Sequence, residues 1–327
     1  MRLYFIVSNR TEPYWNIAVE HFLVNGFNPS AFGKEAGEDF IVLYLWRNHR
    51  SVVIGQNQNP YAEVNLEALQ RDGGYLMRRR TGGGAVYHDE GNVNFSFVAP
   101  HDLYDQQRQF AVVRRAVEAF GLHTELSGRN DILAEGRKFS GNAFSKGRLR
   151  DLHHGTLLIS GHLDDLQQYL LPKPAKLMRH GVASVRSRVV NLSELNPAIT
   201  PDSLSDKLKE AFAAEYGNDV QTLSFDEIVS QTEVIQQHDI YASEEWLYGS
   251  WRFFRATKSA QFDWGGVDIQ VIADEERGII TDVQIASDAL DLEVLEQARK
   301  TLIGASLAER PEASNPIIED IIALVYA

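Results

Sequence analysis

Residues 78–89 read Arg78-Arg79-Arg80-Thr81-Gly82-Gly83-Gly84-Ala85-Val86-Tyr87-His88-Asp89, so three cations precede three adjacent glycines and a β-prone exit. Glycine has no Cβ, and the backbone can therefore turn sharply and bring its N–H groups against a ligand. Guanidinium groups bind phosphate or carboxylate oxygens in a bidentate manner. The run predicts an anion-holding loop between two strands, but a glycine-rich hairpin turn with solvated arginines would use the same residues.

Two common nucleotide motifs do not account for this run. A P-loop requires a Gly-Lys pair followed by Ser or Thr, and none follows these glycines. The dinucleotide fingerprint would place Tyr87 at its third glycine, where close helix packing needs Gly or Ala. The loop therefore belongs to a different fold.

The composition is that of a globular protein with a large core. The chain has 327 residues, 44% of them apolar, and its net charge is −13. Its pI of about 5.2 argues against general nucleic-acid binding, which depends on basic surface. No apolar run reaches the roughly 20 residues of a membrane helix, and the start lacks a secretory signal, so we expect a cytoplasmic protein without membrane association. The chain has no cysteine, which excludes an acyl-thioester intermediate on this chain.

Hydrophobic periodicity predicts a mixed α/β chain with a central sheet. Residues 40–46 are almost continuously apolar, which is typical of a strand buried on both faces. Residues 14–24 and 202–216 have helical spacing, and residues 171–189 form a long loop. After residue 250 the pattern predicts a meander with strands at 251–257, 260–264, 266–273 and 279–285, followed by two helices. We therefore place a domain boundary near residue 246.

Polar residues gather in three further segments, 129–131, 136–142 and 151–155. Each segment is weak evidence by itself. Lys138 could be a surface lysine, and His153 and His154 have no third ligand at metal-site spacing. Only the combination with the glycine loop indicates a binding site.

The combined motifs resemble those of the lipoate-protein ligases. The matching segments follow the family order over nearly the whole chain: residues 15–20 (WNIAVE), 45–48 (LWRN), 53–60 (VIGQNQNP), 78–89 (RRRTGGGAVYHD), 127–131 (SGRND), 137–141 (RKFSG), 153–158 (HHGTLL), 184–189 (SVRSRV) and 262–266 (FDWGG). The last segment resembles the family's small C-terminal domain. Thr81 and Arg80 replace smaller serines, and Asn142 and Phe144 vary the segment after Lys138, which leaves fine substrate preference open.

The resemblance implies a fold and a reaction. The fold is an α+β catalytic domain of the biotin/lipoate ligase type (residues 1–245), with a mixed, largely antiparallel sheet, and a small α/β accessory domain (residues 246–327). The reaction uses ATP and Mg²⁺ to convert lipoate, with octanoate as a possible competitor, to lipoyl-AMP. The acyl group then passes to a lysine of a lipoyl-acceptor domain, in the E2 subunits of 2-oxoacid dehydrogenases or the glycine cleavage H protein. A monomer is the default expectation.

The resemblance also assigns residues by their position in the motifs. Lys138 matches the family's essential lysine and would contact both the lipoate carboxyl group and the α-phosphate. Asp131 is the candidate metal ligand, and the segment 179–188 would close over the adenylate. The nucleotide would contact Arg79, Gly84, Ala85, Val86, Tyr87, Lys138 and Arg186. The lipoate site would comprise Val19, Glu20, Trp46, Arg79, Gly83, His88, Lys138, Ser140 and His154.

Two other functions share these motifs. A lipoyl or octanoyl transferase would accept a preformed acyl donor without activating it. The lack of cysteine argues against thioester-forming transferases, and the C-terminal segment favours the activating ligase. A lipoyltransferase that uses preformed lipoyl-AMP shares both features and stays an alternative. A non-enzymatic lipoate- or adenylate-binding protein would not need Lys138, which is present. Trp46 could also be a core residue of its strand.

Overall fold

The computed structural model describes residues 1–34, 37, 39–128, 130–171, 189–217 and 219–327. Arg186 and the segment 179–188 lie outside these residues, as does most of the predicted loop at 171–189. The helices are α1 (Pro13–Asn25), α2 (Pro60–Glu63), α3 (Leu66–Arg71), α4 (Gln106–Glu118), α5 (Leu163–Tyr169), α6 (Leu192–Leu195), α7 (Pro201–Tyr216), α8 (Phe225–Val229), α9 (Thr232–Ala242), α10 (Glu244–Leu247), α11 (Leu292–Leu302) and α12 (Pro316–Tyr326), with 3₁₀ turns at Pro29–Phe32 and Gly249–Phe253.

The strands form three sheets. They are β1 (Arg2–Val7), β2 (Phe40–Trp46), β3 (Ser51–Ile54), β4 (Tyr75–Arg78), β5 (Val86–His88), β6 (Asn92–Pro100), β7 (Thr124–Ser127), β8 (Asp131–Ala134), β9 (Arg137–Lys146), β10 (Arg150–Leu158), β11 (Val220–Thr222), β12 (Lys258–Phe262), β13 (Gly265–Asp274) and β14 (Ile279–Ser287). The largest sheet has the order β11-β1-β2-β6-β10-β9-β8-β7. Only the pairs β11–β1 and β1–β2 are parallel there, which confirms the predicted mixed, largely antiparallel sheet.

Helices cover both faces of the largest sheet. In β2, Ile41 and Leu43 pack toward α4 and α7, whereas Phe40 and Val42 pack toward α1, α8 and α9. All seven residues of β2 are buried. Side chains alternate between the faces of a strand, so a strand covered on both sides must be apolar throughout. The continuous apolar run of the sequence reflects this position.

A smaller sheet of order β4-β3-β5 carries the glycine loop, residues 79–85. Strands β3 and β4 are parallel, and β3 and β5 are antiparallel. The loop leaves the sheet at the end of β4 and returns as β5, so the strand, loop, strand unit expected from the sequence is present.

The C-terminal residues form a separate domain with its own core. Strands β12, β13 and β14 make an antiparallel meander, and α11 and α12 pack on it through residues such as Leu295 and Ile321. The strand predicted at 251–257 is wrong: residues 249–253 form a 3₁₀ turn, in which Trp251 contacts Phe254. The boundary near residue 246 stays a prediction. In the part of the chain that the structure describes, the helices are too short or too polar to cross a membrane.

Candidate active site

A cavity of about 350 Å³ opens between the large sheet, the glycine loop and the C-terminal domain. This volume lies within the range of small-molecule sites. Its lining residues come from segments that are far apart in the chain: Ile17, Trp46, Val53, Met77, Arg79, Gly83, Gly84, Ala85, Val86, Tyr87, His88, Asn92, Asn94, Asn130, Lys138, Gly141, Asn142, Ala143, His154, Gly155, Thr156, Leu158, Leu166, Leu170, Val189 and Leu290. The glycine loop and Lys138, which are far apart in sequence, therefore meet in one site.

Arg79 holds the glycine loop from inside. Its Nη2 donates to the carbonyl oxygens of Gly82 (2.7 Å) and Gly84 (2.9 Å), and its Nε donates to Thr81 Oγ1 (3.0 Å). Its Nη1 donates to the carbonyl of Val53 (3.3 Å). Burial lowers the pKa of Arg79 to about 10, so the group still carries its charge at neutral pH. This cation shapes the loop and places positive charge behind it.

The two neighbouring arginines serve other contacts. The buried Arg78 guanidinium donates to five backbone carbonyls, including those of Trp246 and Leu247, and so ties α10 to the small sheet. Arg80 stacks over Trp246, 4.6 Å from the ring centroid, and its Nε donates to the Tyr241 hydroxyl. Of the three adjacent arginines, only Arg79, the one named as a site residue, lines the cavity.

A buried chain of hydrogen bonds runs behind one wall of the cavity. Trp46 Nε1 donates to Ser96 Oγ (3.1 Å), and the Ser96 hydroxyl donates to Glu20 Oε2 (2.5 Å). His154 Nδ1 lies 2.9 Å from the same carboxylate oxygen, and His154 Nε2 lies 3.0 Å from Thr81 Oγ1. The network assigns the Nδ1–H tautomer to His154, because Thr81 accepts from Arg79 and can then donate to Nε2. Trp46 is thus linked to the glycine loop.

His88 presents a buried nitrogen in the cavity wall. Its Nδ1 lies 3.4 Å from Asn48 Nδ2, and its Nε2 is buried without a hydrogen-bond partner among the described residues. Burial, and then the charge of Arg79, lower the pKa of His88 to about 3, so the ring is neutral. Asn92 Oδ1, also in the wall, is likewise buried without such a partner. An unsatisfied polar atom is costly, so this wall suits a ligand with a polar group or bound water.

Lys138 lies on β9 and lines the cavity. Its Nζ forms an ion pair with Asp131 Oδ1 at 2.7 Å, and the two side chains are 35% and 31% exposed. A Cβ at position 141 would lie only 3.2 Å from this Nζ, so Gly141 leaves room for the ammonium. A flexible cation held by one carboxylate can exchange that partner for an anionic ligand.

A second buried network supports the wall beside Lys138. Both ring nitrogens of His153 have amide partners, Gln109 at Nδ1 (3.0 Å) and Asn142 at Nε2 (2.9 Å). Asn142 in turn bonds to Ser140 and to the backbone of Asn130. Burial holds the pKa of His153 well below its usual value, so this ring is neutral as well. A neutral ring has one N–H, so Nε2–H donates to Asn142 Oδ1, and the Gln109 amide is assigned with its otherwise unpartnered NH2 group toward Nδ1. His153 is a structural residue that orients Asn142, a role that sequence reasoning did not predict.

Most predicted site residues meet in the cavity. These are Trp46, Arg79, Gly83, Gly84, Ala85, Val86, Tyr87, His88, Lys138 and His154. Val19 belongs to the core between α1 and the large sheet, and Glu20 lies behind the wall, bonded to His154. Ser140 is fully buried and accepts from Asn142, so it does not face the cavity. Sequence reasoning missed Ile17, Asn92, Asn94, Thr156 and Leu290, although alternation along β6 could have indicated the two asparagines.

The predicted metal ligand Asp131 is bonded to Lys138. Among the described residues, no three histidine, aspartate or glutamate side chains form a group that could hold a metal ion.

Two protein-family models match the chain. Residues 12–213 match the lipoyl protein ligase A/B catalytic domain, and residues 253–311 match the bacterial lipoate protein ligase C-terminus. The chain is 37% identical over 309 residues to lipoate-protein ligase A of Psychrobacter cryohalolentis, covering 92% of this chain and 88% of that protein. It is 36% identical to lipoate-protein ligase A of Bdellovibrio bacteriovorus, covering 93% and 88%. The chain belongs to the lipoate-protein ligase family and is an enzyme of the ligase class.

Solved structures agree with this assignment. The crystal structure of P. falciparum LipL1 in complex with lipoate has a TM-score of 0.85 at 29% identity and covers 99% of both chains. A bi-partite lipoate protein ligase of Thermoplasma acidophilum, described with its E2 lipoyl domain, has a TM-score of 0.65 at 25% identity, covering 76% of this chain and 97% of that one. A lipoate-protein ligase A bound with ATP has a TM-score of 0.61 at 26% identity, covering 76% and 98%. The predicted family and fold class are confirmed.

Proposed function

We propose that this protein activates lipoate with ATP to form lipoyl-AMP and pyrophosphate, and then transfers the lipoyl group to a lysine of an acceptor protein. The observation that carries the proposal is Lys138, whose ammonium lies at the cavity with one exchangeable partner, Asp131. The lipoate-bound and ATP-bound relatives support the choice of substrates.

The cavity offers separate surroundings for the two ends of the acid. Ile17, Trp46, Val53 and Met77 form an apolar section that suits the hydrocarbon chain and the dithiolane ring. The carboxylate would bind at Lys138. Positioning of this kind replaces a bimolecular encounter by a reaction between held groups, and it supplies much of the rate.

In the first step a lipoate carboxylate oxygen attacks the α-phosphorus of ATP, the bond to the β-phosphate bridging oxygen breaks, and pyrophosphate leaves. Negative charge grows on the α-phosphate oxygens, and the Lys138 ammonium would stabilise it together with the backbone N–H groups of the glycine loop. The buried charge of Arg79 lies behind the same loop. Gly84, Ala85, Val86 and Tyr87 line the cavity and would contact the nucleotide, as would Arg186.

In the second step the neutral amine of the acceptor lysine attacks the acyl carbonyl, AMP leaves, and the amine loses a proton as the amide forms. Because the chain has no cysteine, it cannot form an enzyme thioester, and the acyl group would pass directly from the adenylate to the amine. Lys138 would polarise the carbonyl oxygen in this step, since a compact point charge can follow the developing oxyanion.

The residues present fit a role for Mg²⁺ that arrives with ATP. Mg²⁺ is usually held by one or two carboxylates together with substrate phosphates. Asp131, next to Lys138, would be that carboxylate once the ammonium turns to the substrate. The metal would supply neutralising charge to the leaving pyrophosphate.

We propose lipoyl domains of 2-oxoacid dehydrogenase E2 subunits and the glycine cleavage H protein as acceptors. The archaeal relative described with its E2 lipoyl domain supports the first of these. A cytoplasmic location and a monomeric state are part of the same proposal.

The test is lipoate-dependent exchange of radiolabelled pyrophosphate into ATP, with purified protein, Mg²⁺ and no acceptor. Exchange is the expected result, because the activating step is reversible and needs no acceptor. Folded protein that gives no exchange but transfers the acyl group from supplied lipoyl-AMP would be a transferase. Failure of both reactions would favour a binding protein.

A further inference from the structure

The turn between β14 and α11, residues 288–291, lies directly on the glycine loop. Gly83 N donates to the Ala289 carbonyl (3.0 Å), and one residue before the turn Ser287 N donates to the Asn57 carbonyl (2.9 Å). A Cβ at Gly82 would lie 2.4 Å from the Ala289 oxygen and 2.6 Å from the Leu290 oxygen. Gly82 does not have a positive φ. Close approach of the C-terminal domain is therefore what requires glycine at this position.

The turn is held firmly within its own domain. Asp288 Oδ1 accepts from Gly266 N (2.7 Å), and Ser287 Oγ accepts from Ala289 N (3.1 Å). Asp291 caps α11 by accepting from the backbone of Glu293 and Val294. A turn with this many local hydrogen bonds keeps its shape and presents Leu290 in a fixed direction.

The Leu290 side chain lines the cavity and does not pack in the core of its own domain. It lines the cavity and is half-buried. Over the described residues, the core of the C-terminal domain is built by others, such as Val294 and Leu295, and does not include Leu290. Leu290 Cδ2 comes within 3.2 Å of where a Gly83 Cβ would be. The C-terminal domain thus contributes an apolar wall to a site whose other walls belong to the catalytic domain.

We propose that Leu290 is a specificity-determining residue that contacts the hydrocarbon part of the carboxylic acid and limits its bulk. The inference rests on the proposed function. Leu290 touches the loop that Arg79 links to the carbonyl of Val53, and Val53 belongs to the apolar section of the cavity. Leu290 and Val53 thus line the same cavity from different domains, and the acid chain is the apolar part of the substrates.

The test measures binding of carboxylic acids by calorimetry, without ATP, to the full chain and to Leu290→Ala. The acids are lipoate and a lipoate analogue carrying an added methyl or phenyl group on the chain. We expect Leu290→Ala to shift the ratio of the two dissociation constants at least about 10-fold toward the bulkier acid, as removal of several apolar carbons from a pocket does. Binding of ATP should stay unchanged. Leu307→Ala is the matched control, because Leu307 is an exposed leucine of the same domain.

A second pair of variants tests the docking that places Leu290. Gly82→Ala puts a methyl group against two backbone oxygens, so the turn must move away and the same shift in selectivity should appear. Leu307→Ala is again the control, because this exposed leucine of the same domain lies outside the cavity lining. A wild-type ratio in Leu290→Ala overturns the proposal, and so does a changed affinity for ATP with an unchanged ratio.

The experiments distinguish failure of the proposed ligase reaction from failure of the proposed role of Leu290. If pyrophosphate exchange is absent but acids bind with a ratio that depends on Leu290, the ligase reaction is wrong and the wall assignment stands. If exchange occurs and the ratio is the same in wild type and Leu290→Ala, the wall assignment alone is wrong.

Discussion

Two sides of the cavity are built in opposite ways. On one side, Trp46, Ser96, Glu20, His154 and Thr81 form a buried chain in which each donor has an acceptor. On the other side, Lys138 and Asp131 form a single ion pair, each about one third exposed. The first side is fixed by its own hydrogen bonds, and the second is held by one contact in reach of water.

The two sides therefore suit different tasks: one positions the substrate, and the other takes part in the reaction. A buried polar chain is costly to disturb, since any removed member leaves another without a partner. A partly exposed ion pair contributes only about 0.2–1 kcal/mol, so the ammonium can leave its carboxylate for a substrate at little cost. The rigid side suits recognition of the acid, and the exchangeable side suits a reaction in which charge moves.

Lys138→Ala should have the largest effect on activity and a small effect on stability. We expect adenylation to fall on the order of 10³-fold or more, because loss of a cation at a developing charge costs about 4 kcal/mol. The measurement is pyrophosphate exchange, with the thermal midpoint as a check on folding. Lys146→Ala, at an exposed position of the same strand, is the control. Exchange at the wild-type rate in Lys138→Ala would remove this lysine from the reaction.

Glu20→Ala should show the reverse pattern, with a large loss of stability. The variant leaves the Ser96 hydroxyl and His154 Nδ1 without their acceptor in a buried site, and we expect unfolding free energy to fall by about 3 kcal/mol. Urea denaturation at pH 7.5 measures the change. Glu67→Ala, at an exposed position of α3, should stay near wild type. Equal stability of the two variants would show that the buried chain is not a structural support.

The buried side also predicts a dependence of stability on pH. His88 has a pKa lowered to about 3, and the pKa of His153 lies well below its usual value, in both cases mainly through burial. Below about pH 6.5 the two histidines are protonated in the unfolded chain but stay neutral in the folded protein. Their contribution to the free energy of unfolding is therefore fully present above that pH and is lost as the pH decreases. The His88 ring should cost on the order of 1 kcal/mol at pH 5.5 relative to pH 8, and the His153 ring should act in the same direction.

Urea titrations between pH 5 and 7 measure this slope. His88→Asn should lower the slope by about one proton, whereas His123→Asn, at an exposed histidine, should leave it unchanged. An identical slope in His88→Asn and wild type would mean that the folded ring accepts a proton as readily as the unfolded one.

Local patterns predicted the parts of the fold that depend on local physics. The apolar run of β2 indicated burial on both faces, and all seven of its residues are buried. The strand predicted at 251–257 failed, because the packing of Trp251 on Phe254 favours a 3₁₀ turn over an extended chain.

The site could be predicted by its motifs but not by its contacts. Sequence indicated that Arg79 and the glycines belong together, yet it could not show that the guanidinium binds the loop's own carbonyls. The need for Gly82 comes from Ala289 and Leu290, which approach from the other domain. Such requirements arise from tertiary contacts, and a single sequence does not record them.

Trp46→Ala changes a residue that belongs both to the cavity lining and to the buried chain of hydrogen bonds. Of the variants considered, it should have the smallest effect, a change in the relative binding free energy of two carboxylic acids. Trp46 lines the cavity with its ring and anchors the buried chain with its Nε1. We expect the variant to accept bulkier acids, with a change in selectivity of about 10-fold, or roughly 1.4 kcal/mol. The measurement compares pyrophosphate exchange for lipoate and for a bulkier analogue. Trp15→Ala, on the same side of the fold but outside the cavity lining, is the control. Unchanged selectivity in Trp46→Ala would make Trp46 a core residue of β2, and the recognition of acid size would then lie with the other walls.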